Sequence, residues 1–579
     1  MTILVASLLL GSFLSVLYLG YRCMLPRPIL GIPYNQEATK NVLGDIPAWI
    51  EHEKKTGESL NWLPLQAKKL NSPIIQIFGN PLTKPWIILS DFRESQDILL
   101  HRTKEFDRSD HFGNAFKGLV PDHHISMKTT NPQFKVHRRL IQDLMTPAFL
   151  NEVSAPRIYD AFTSLVNVWT EKARLANGHP FSALDDVYRA ALDAIWAVSF
   201  PLNPRDSLMY AQRWLLTSLT SINTTSSTDI NEPAVFPEVS IPDVASSIFT
   251  LTESLESMML SPIPKLKFWF MSQLPYMRRA RAVKEATMAS ELEKAKARFS
   301  SGTQEERIAR CALDAILRRE LAAAKQENRE PTYNTRTIFD EIFGLLIAGH
   351  DTTSTTAIWG LKFLSDHQEI QKKFRQALWS GFPVAIAECR QPTAEEISKS
   401  HIPYLDATQE EIIRKSVTGA GIWRTAMVDT VVLGHHIPKG TNLFLLGNGP
   451  DFIEPPIGKI PEDRRSKSCQ EMNGRVGSWD PADSNLFQPE RWIAKKDGKE
   501  SFDSTLGPHL IFGLGPRGCF GRRMAYLELK IVLVLLLWNF ELQSVPATLS
   551  SYQAVDKLSH QPRQCYLRLL SSPLNDLGA

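Results

Sequence analysis

A segment near the C-terminus, from Phe512 to Gly521, combines residue types that could hold a flat anionic ligand. Its pattern is F-x-x-G-x-R-x-C-x-G, with Phe512, Gly515, Arg517, Cys519 and Gly521 at the fixed positions. Glycines let a loop pass close to such a ligand, and a cysteine at the start of a helix is favoured as the thiolate by the helix dipole and backbone N–H groups. Arg517 could pair with an anionic group of the same ligand. Because a thiolate axial ligand donates electron density to haem iron and favours O–O cleavage, the segment predicts a haem site with Cys519 as the iron ligand.

The same segment contains a competing motif. Gly513, Gly515 and Gly518 match the G-x-G-x-x-G fingerprint of dinucleotide-binding folds, after a short apolar piece at 510–512 and before a predicted helix. Such a fold needs several parallel strands. The chain after Glu541 has room for about one strand–helix–strand unit of roughly 30 residues, and no alternating strand and helix pattern precedes the motif. An NAD(P)-binding dehydrogenase is the alternative that this motif leaves open.

On these residues the chain resembles the cytochrome P450 family of haem-thiolate monooxygenases, over nearly its whole length from about residue 40. The resemblance implies a mainly α fold with small β-sheets and one large catalytic domain. It also implies haem b bound through the Cys519 thiolate, with Phe512, Gly515, Arg517 and Gly521 around the cofactor. Electrons would come from NADPH through a flavoprotein reductase.

A second set of residues lies in a long apolar segment, 337–365, whose periodicity predicts a helix. Ala348, Gly349, Asp351 and Thr352 look like the family's oxygen-activating signature, [A/G]-G-x-[D/E]-T-[T/S]. Small side chains on the face of Ala348 and Thr352 would leave room for dioxygen. The resemblance implies that Thr352 is the catalytic hydroxyl and that Asp351 supplies protons from the other side of a widened turn. The alternative is a hydroxyl-rich helix whose threonines bond to carbonyls four residues back.

A third set of residues suggests an ion network. Glu411 and Arg414 are three apart on a predicted helix, so they share a face, and a surface ion pair of little energetic value is the ordinary interpretation. The segment FQPERW at 487–492 resembles the family's second arginine motif, which implies that Arg491 closes a network with Glu411 and Arg414. Its implied role is to fix the backbone that presents Cys519.

The resemblance also implies which arginines bind the haem propionates. Arg424 matches one such family arginine, and Arg138 matches the other. The family's Trp-x-x-x-Arg pattern is altered here, because Phe134 stands in place of the tryptophan and cannot donate an indole hydrogen bond. His137, next to Arg138, is the candidate to compensate.

The N-terminus predicts a membrane anchor. Thr2 to Tyr21 is a run of 20 residues without a charge, long enough to span the roughly 30 Å hydrocarbon core of a bilayer. Arg22 and Arg27 on its C-terminal side would place the remaining chain in the cytosol. We therefore expect an anchor at 1–22, a Pro-rich connector at 23–35 and a cytosolic catalytic domain at 36–579, attached to the endoplasmic reticulum membrane by a single span. A cleaved signal peptide is the alternative.

Composition excludes several classes of protein. The net charge of +3, from 65 basic and 62 acidic residues, gives no basic field of the kind that binds nucleic acid. The six cysteines form no C-x-x-C pair and suit a reducing compartment. The adjacent pairs His123–His124 and His435–His436 have the wrong spacing for one helical face, so structural zinc is not expected.

Periodicity predicts a mostly helical chain with short strands and no internal repeat. Two stretches, 223–245 and 447–482, look like surface loops inserted into the catalytic domain. Helices are predicted at 156–176, 184–199, 277–298, 306–326, 337–365, 405–416 and 520–538, and strands at 74–78, 86–89, 428–433 and 566–570.

These features together predict a membrane-bound haem monooxygenase that hydroxylates or epoxidises a lipophilic small molecule of secondary metabolism. By analogy with the family, the pocket is lined by 109–130, 246–276 and 417–423, which contain Phe112, Phe116, Ile248 and Ile422. A haem-thiolate isomerase or dehydratase and a non-catalytic haem sensor are the alternatives. The Asp351–Thr352 pair favours oxygen activation over both.

Overall fold

The computed structural model describes residues 2–79, 83–222, 229–259, 261, 263–301 and 309–572, without the side chains of 2–7, 300 and 301. Residues 223–228 of the predicted insertion at 223–245 and Met1 of the predicted anchor lie outside the described residues.

Helices account for most of the described chain. In chain order they are α1 (Thr2–Met24), α2 (Ile46–Thr56), α3 (Trp62–Lys69), α4 (Phe92–Leu100), α5 (Asp110–Lys117), α6 (Pro132–Ile141), α7 (Pro147–Phe149), α8 (Ala155–Ala176), α9 (Leu184–Ser199), α10 (Leu208–Thr217), α11 (Asp243–Met259), α12 (Pro264–Met271), α13 (Pro275–Ser301), α14 (Ala312–Gln326), α15 (Arg336–Asp366), α16 (Gln368–Gly381), α17 (Pro383–Ala387), α18 (Ala394–Lys399), α19 (Pro403–Ser416), α20 (Lys467–Glu471) and α21 (Arg522–Asn539).

The strands are short. They are β1 (Ile74–Ile77), β2 (Trp86–Leu89), β3 (Phe106–Arg108), β4 (Phe181–Ser182), β5 (Gly421–Ala426), β6 (Thr430–Val432), β7 (His435–Ile437), β8 (Asn442–Leu446), β9 (Ile493–Lys496), β10 (Lys499–Phe502), β11 (Phe540–Gln543), β12 (Ala554–Asp556), β13 (His560–Pro562) and β14 (Tyr566–Ser571). The mainly α fold with small sheets is therefore confirmed.

The chain divides into two compact units. The first contains residues 1–109, 420–485 and 507–516. Its centre is a five-stranded sheet in the order β1-β2-β8-β5-β3, in which β2 and β8 are parallel and the other neighbours are antiparallel. Apolar runs in β1, β2 and β8 explain the burial of these strands on both faces. The irregular stretch 447–482 is tied to the residues before α4 by a two-pronged ion pair from Arg465 to Asp91, with N–O distances of 2.7 and 2.8 Å.

The second unit contains residues 110–419, 486–506 and 517–579, and its central element is α15. This helix packs against α9, α19 and α21. It starts after Thr335, whose hydroxyl accepts a hydrogen bond from the Ile338 N–H at 3.3 Å. The second half of α21, from Ile531 to Trp538, is buried, so this apolar run belongs to the core.

The helices predicted from strong periodicity are confirmed within a few residues. They include α8, α9, α13, α15, α19 and α21. Two boundaries differ: α14 begins at Ala312, after the non-helical residues 309–311, and β6 is shorter than the strand predicted at 428–433. Residues 306–308 of the predicted helix lie outside the described residues. Among the helices that the structure describes with their side chains, none is both long and apolar enough to cross a bilayer.

Candidate functional site

The sulfur of Cys519 lies just before the N-terminus of α21, which begins at Arg522. The side chain of Cys519 is accessible. Protein packed around the sulfur raises the pKa of the thiol, and four groups act in the opposite direction: the backbone N–H groups of Gly521 and Arg522 and the guanidinium groups of Arg138 and Arg522. This set of donors and cations fits a cysteine that binds haem iron as its thiolate.

Two arginines of the second unit lie against aromatic rings beside this cysteine. The Arg517 guanidinium lies 4.1 Å from the centre of the Phe134 ring, and the Arg138 guanidinium lies 4.8 Å from the centre of the Phe520 ring. Arg517 also donates a hydrogen bond to the Ile125 carbonyl at 3.3 Å. Phe134 cannot donate the hydrogen bond of the family's tryptophan, but its face supports a cation. The assignment of both arginines to the carboxylates of haem b stays a prediction.

His137 Nδ1 lies 3.0 Å from Oε1 of the buried Glu341, and its compensation for the missing tryptophan stays a prediction. The ring Nδ1 of His124 contacts Oε2 of the same carboxylate at 2.7 Å. The backbone N–H of His124 donates to Oε1 at 2.8 Å. His123 Nε2 lies 3.4 Å from Oε2. Burial alone would raise the pKa of the Glu341 carboxyl, yet the three histidines hold it well below its ordinary range. Loop residues before α6 and the first half of α15 are thus joined through one carboxylate.

This cluster has ligand atoms at metal-binding distances. Within the described residues, atoms of His123, His124 and Glu341 lie within 4.8 Å of one another. His123 Nδ1 accepts the Ile125 N–H at 3.0 Å, so its proton resides on Nε2, the nitrogen that faces the carboxylate. A histidine that binds a metal needs that nitrogen unprotonated. The geometry therefore describes a carboxylate saturated with hydrogen bonds. Sequence reasoning missed Glu341, because nothing local links it to histidines some 200 residues earlier.

The oxygen-activating residues predicted on α15 divide between two faces. Ala348 is exposed and Thr352 is half-buried on the same side, where the Thr352 hydroxyl donates to the Ala348 carbonyl at 2.7 Å. The bonding of a threonine to the carbonyl four residues back, weighed as the alternative, is therefore what the structure contains. The segment is α-helical throughout, so the expectation of a widened turn at Asp351 is wrong.

Gly349 faces the protein. A Cβ at this position would lie 2.5 Å from Cγ1 of Ile195 on α9, closer than real Cβ contacts. The absence of a side chain at 349 therefore allows α9 and α15 to approach, which is a packing reason in addition to the predicted room for dioxygen.

Asp351 is buried and hydrogen-bonded to the hairpin β12–β13. Ser559 Oγ donates to Oδ2 at 2.7 Å, and Gln561 Nε2 donates to Oδ1 at 3.1 Å. Burial raises the pKa of the Asp351 carboxyl, and the opposing effects of His350 and these hydrogen bonds do not cancel that rise. A carboxyl with a raised pKa can hold a proton and release it, which a proton donor requires.

The remaining predicted cofactor residues belong to the first unit. Arg424 on β5 is buried and is the direct cross-strand partner of Arg108 on β3. Burial and the charge of Arg424 lower the pKa of the Arg108 guanidinium to about 9. Two cations held opposite each other repel, so this pair suits an anion such as a propionate. Arg108 was missed in the sequence, because only the strand register pairs it with Arg424.

The loop predicted to approach the cofactor is tightly placed against α4. Gly515 has φ +67°, and a Cβ there would lie 2.4 Å from the Leu99 carbonyl oxygen, so only glycine fits. Phe512 is half-buried beside His509, with ring centroids 6.4 Å apart. Residues 510–512 are not a strand. The dinucleotide fingerprint must follow a β-strand. The NAD(P)-binding dehydrogenase alternative is therefore wrong.

The predicted ion network is closed around the buried carboxylate of Glu411. Arg414 donates to both of its oxygens at 2.8 and 2.7 Å, and Arg491 Nε donates at 3.2 Å. Trp492 Nε1 and the Gln488 N–H add two further hydrogen bonds, each at 2.9 Å. Burial would raise the pKa of Glu411, but Arg414 and Arg491 hold it below its ordinary value. Trp492 was within the quoted motif, yet its hydrogen bond was not expected.

Comparisons with known proteins agree with this geometry. The family described as Cytochrome P450 matches residues 52–449 and 479–564. The cytochrome P450 monooxygenase TRI13 of Fusarium sporotrichioides is 39% identical over 575 residues, which cover 96% of this chain and 97% of that protein. The cytochrome P450 monooxygenase GME11363 of Pestalotiopsis microspora is 35% identical over 96% of this chain and 97% of its own. The cytochrome P450 monooxygenase xilC of Penicillium rubens is 32% identical over 98% and 97%, respectively.

Proposed function

The chain belongs to the cytochrome P450 family, and from this premise we propose how its site is used. It is a haem monooxygenase, and the Cys519 thiolate would bind its haem iron. Its proposed reaction is the hydroxylation or epoxidation of a lipophilic small molecule of secondary metabolism, with electrons from NADPH through a flavoprotein reductase. The observation that carries this proposal is the pairing on α15 of Thr352, on the accessible face, with the buried, hydrogen-bonded Asp351.

Each side chain has a separate task in this scheme. Haem, when bound, supplies the oxidation chemistry. Arg138 and Arg517 of the second unit would neutralise its carboxylates, the resemblance assigns the same role to Arg424 of the first unit, and the Glu411 network fixes the backbone from 486 to 492. The Thr352 hydroxyl holds a proton on the accessible face of α15, and the Asp351 carboxyl renews the proton supply. A lipophilic substrate is supported by the aromatic pair Phe112–Phe116 on α5, with ring centroids 5.0 Å apart.

The role of Thr352 can be tested by replacing it with alanine. A Thr352→Ala variant is expected to consume NADPH and dioxygen while its yield of oxygenated product per NADPH falls on the order of tenfold, since an aligned proton donor typically contributes at least that much. The measurement scores NADPH, dioxygen, peroxide and product with a panel of lipophilic terpenoids. Thr353→Ala, on the next residue of the helix, is the matched control and should keep its yield. An unchanged yield in Thr352→Ala would refute the assignment. Product formed without reductant would favour the isomerase alternative.

We propose that the protein is held at the endoplasmic reticulum membrane by a single N-terminal span, with the catalytic domain in the cytosol. The support comes from the uncharged run of residues 2–21, followed by Arg22 and Arg27. Leu9, Phe13 and Leu17 of α1 are 67%, 60% and 52% exposed, respectively. A second apolar surface, on and beside α12, also favours a bilayer. It contains Ile263, Leu266, Trp269, Phe270 and Leu274, between 42% and 60% exposed.

This attachment predicts the behaviour of a shortened chain. The full chain should float with phospholipid vesicles and stay with them in alkaline carbonate, because a spanning helix is not extracted. A chain lacking residues 2–24 should be released by carbonate completely, retaining at most a salt-sensitive association through the α12 surface. Flotation followed by immunoblotting measures both fractions, with Leu266→Ser/Trp269→Ser as the companion variant for the α12 surface. Release of the full chain by carbonate would show that α1 does not span the membrane.

A further inference from the structure

Three hydroxyl side chains connect Asp351 to α9. Ser559 Oγ lies 2.7 Å from Asp351 Oδ2, Thr355 Oγ1 lies 2.8 Å from Ser559 Oγ, and Tyr188 Oη lies 2.7 Å from Thr355 Oγ1. The residues come from three separate parts of the second unit: the hairpin β12–β13, α15 and α9. Thr355 and Ser559 are fully buried, and Tyr188 is partly exposed as a residue while burial raises the pKa of its hydroxyl well above the ordinary value. The contacts therefore run without interruption from the buried carboxylate to the Tyr188 hydroxyl on α9.

The chemistry of the groups fixes the direction of the hydrogen bonds. An ionised carboxylate only accepts, so Ser559 must give its single proton to Asp351. The Ser559 oxygen then accepts from Thr355, and the Thr355 oxygen accepts from Tyr188. All three O–H groups thus point toward Asp351, the alignment in which a proton can pass along successive hydroxyl groups.

We propose that Tyr188, Thr355 and Ser559 form a hydroxyl relay that delivers protons from solvent to Asp351. This inference rests on the proposed function, in which Asp351 renews the proton supply at Thr352. In one passage, water gives a proton to the Tyr188 oxygen and each hydroxyl passes its own proton to the next oxygen. The Asp351 carboxylate takes the last proton. Every hydroxyl regains the proton it gave, no electron moves, and the net change is one proton transferred from solvent to the carboxylate.

The surroundings of the relay favour this direction. Charged and titratable groups that face Asp351 are His350 on α15, Lys557 in the turn of the β12–β13 hairpin, and Tyr188 on α9. In the neutral ring, the His350 Nδ1–H donates its hydrogen bond to the Leu346 carbonyl at 2.8 Å. That proton is therefore not shared with Asp351. At the outer end, the exposed Asp185 lies one helical turn before Tyr188 and acts electrostatically on it. A surface carboxylate next to the outermost hydroxyl can collect protons from solvent.

The test breaks the relay in the middle, without touching the hydrogen bonds of Asp351. Thr355→Val keeps the shape of the side chain and removes its hydroxyl, and Thr355→Ser restores the hydroxyl. In the haem-loaded resting enzyme, protons are released from a caged acid by a light flash. Protonation of Asp351 is then followed by its infrared carboxyl band, assigned as the band that Asp351→Asn removes. We expect Thr355→Val to slow protonation about tenfold or more, with the equilibrium titration of the band unchanged, and Thr355→Ser to restore the rate.

Thr356→Val is the matched control, because the Thr356 hydroxyl bonds to Thr418 and to the Thr352 carbonyl instead of the relay. Its rate should equal that of the unmodified enzyme. A Thr355→Val enzyme with an unchanged rate would overturn the relay. If Thr355→Val does not fold, Tyr188→Phe carries the test, and an unchanged rate there would equally overturn it. The measurement needs neither dioxygen, reductant nor substrate, so failure of the relay is distinguishable from failure of the proposed monooxygenase activity.

Discussion

A Cys519→Ser variant is expected to lose completely the strongly red-shifted absorption band that the reduced, haem-loaded protein gives with carbon monoxide. That band requires a thiolate opposite the carbon monoxide, and a serine hydroxyl is not ionised at neutral pH and does not donate charge as a thiolate does. The two backbone N–H groups and two guanidiniums that favour a thiolate act on the side chain of residue 519. The serine variant leaves no thiol at that position for them to act on. Difference spectra of dithionite-reduced protein measure the effect, and NADPH-dependent product formation should disappear with the band.

Cys389→Ser is the matched control for this experiment. Cys389 is also a free, exposed cysteine, and it lies between α17 and α18. Its replacement should leave the band intact. Persistence of the red-shifted band in Cys519→Ser, or its loss in Cys389→Ser, would show that the iron ligand has been wrongly assigned.

Glu411→Gln is expected to destabilise the protein by about 3–5 kcal/mol, the usual cost of removing one partner from a buried ion pair. The Glu411 side chain is 0% exposed and that of Arg414 is 2% exposed. Glutamine cannot neutralise Arg414 and Arg491 or accept all five hydrogen bonds that converge on the carboxylate. Equilibrium unfolding in urea, followed by far-ultraviolet circular dichroism and by haem absorbance, gives the change in free energy.

A surface pair provides the comparison for the Glu411 variant. Glu395 and Lys399 form an ion pair on α18 in which both side chains are more than half exposed. Glu395→Gln should change the free energy of unfolding by about 0.5 kcal/mol or less. If Glu411→Gln is no more destabilising than Glu395→Gln, the network is not a structural support for the backbone around Arg491. If Glu411→Gln cannot be purified folded, the fraction of the carbon monoxide band that it keeps in cell extracts at low temperature, relative to Glu395→Gln, measures the destabilisation instead.

Much of the fold could be predicted because the signals are local. The helical repeat of apolar residues in α9 and in α15 lies within each segment itself. The start of α21 is likewise marked locally, by the glycine-rich loop directly before it. The segment from Phe512 to Gly521 could be interpreted for the same reason, since its residues act on one another along a short stretch of chain.

Other parts of the site depend on contacts between distant segments, which periodicity does not encode. In the sequence, nothing distinguishes Glu341 from the other acidic residues of α15. Only the fold brings three histidines into contact with its carboxylate. The neighbour that makes glycine necessary at 349 is Ile195 on another helix. The widened turn was expected by resemblance, but hydroxyl groups bonded to carbonyls four residues back accompany an unbroken helix here.

An anionic ligand bound between the opposed guanidiniums of Arg108 and Arg424 would couple its own binding to the stability of the first unit. Their mutual repulsion raises the free energy of the folded chain relative to the unfolded one. An anion seated between them removes that repulsion and so contributes to folding as well as to its own retention. If a haem carboxylate binds there, haem-free polypeptide is less stable than the haem-loaded protein, and haem supply would set the fraction of new chains that survives proteolysis in the cell.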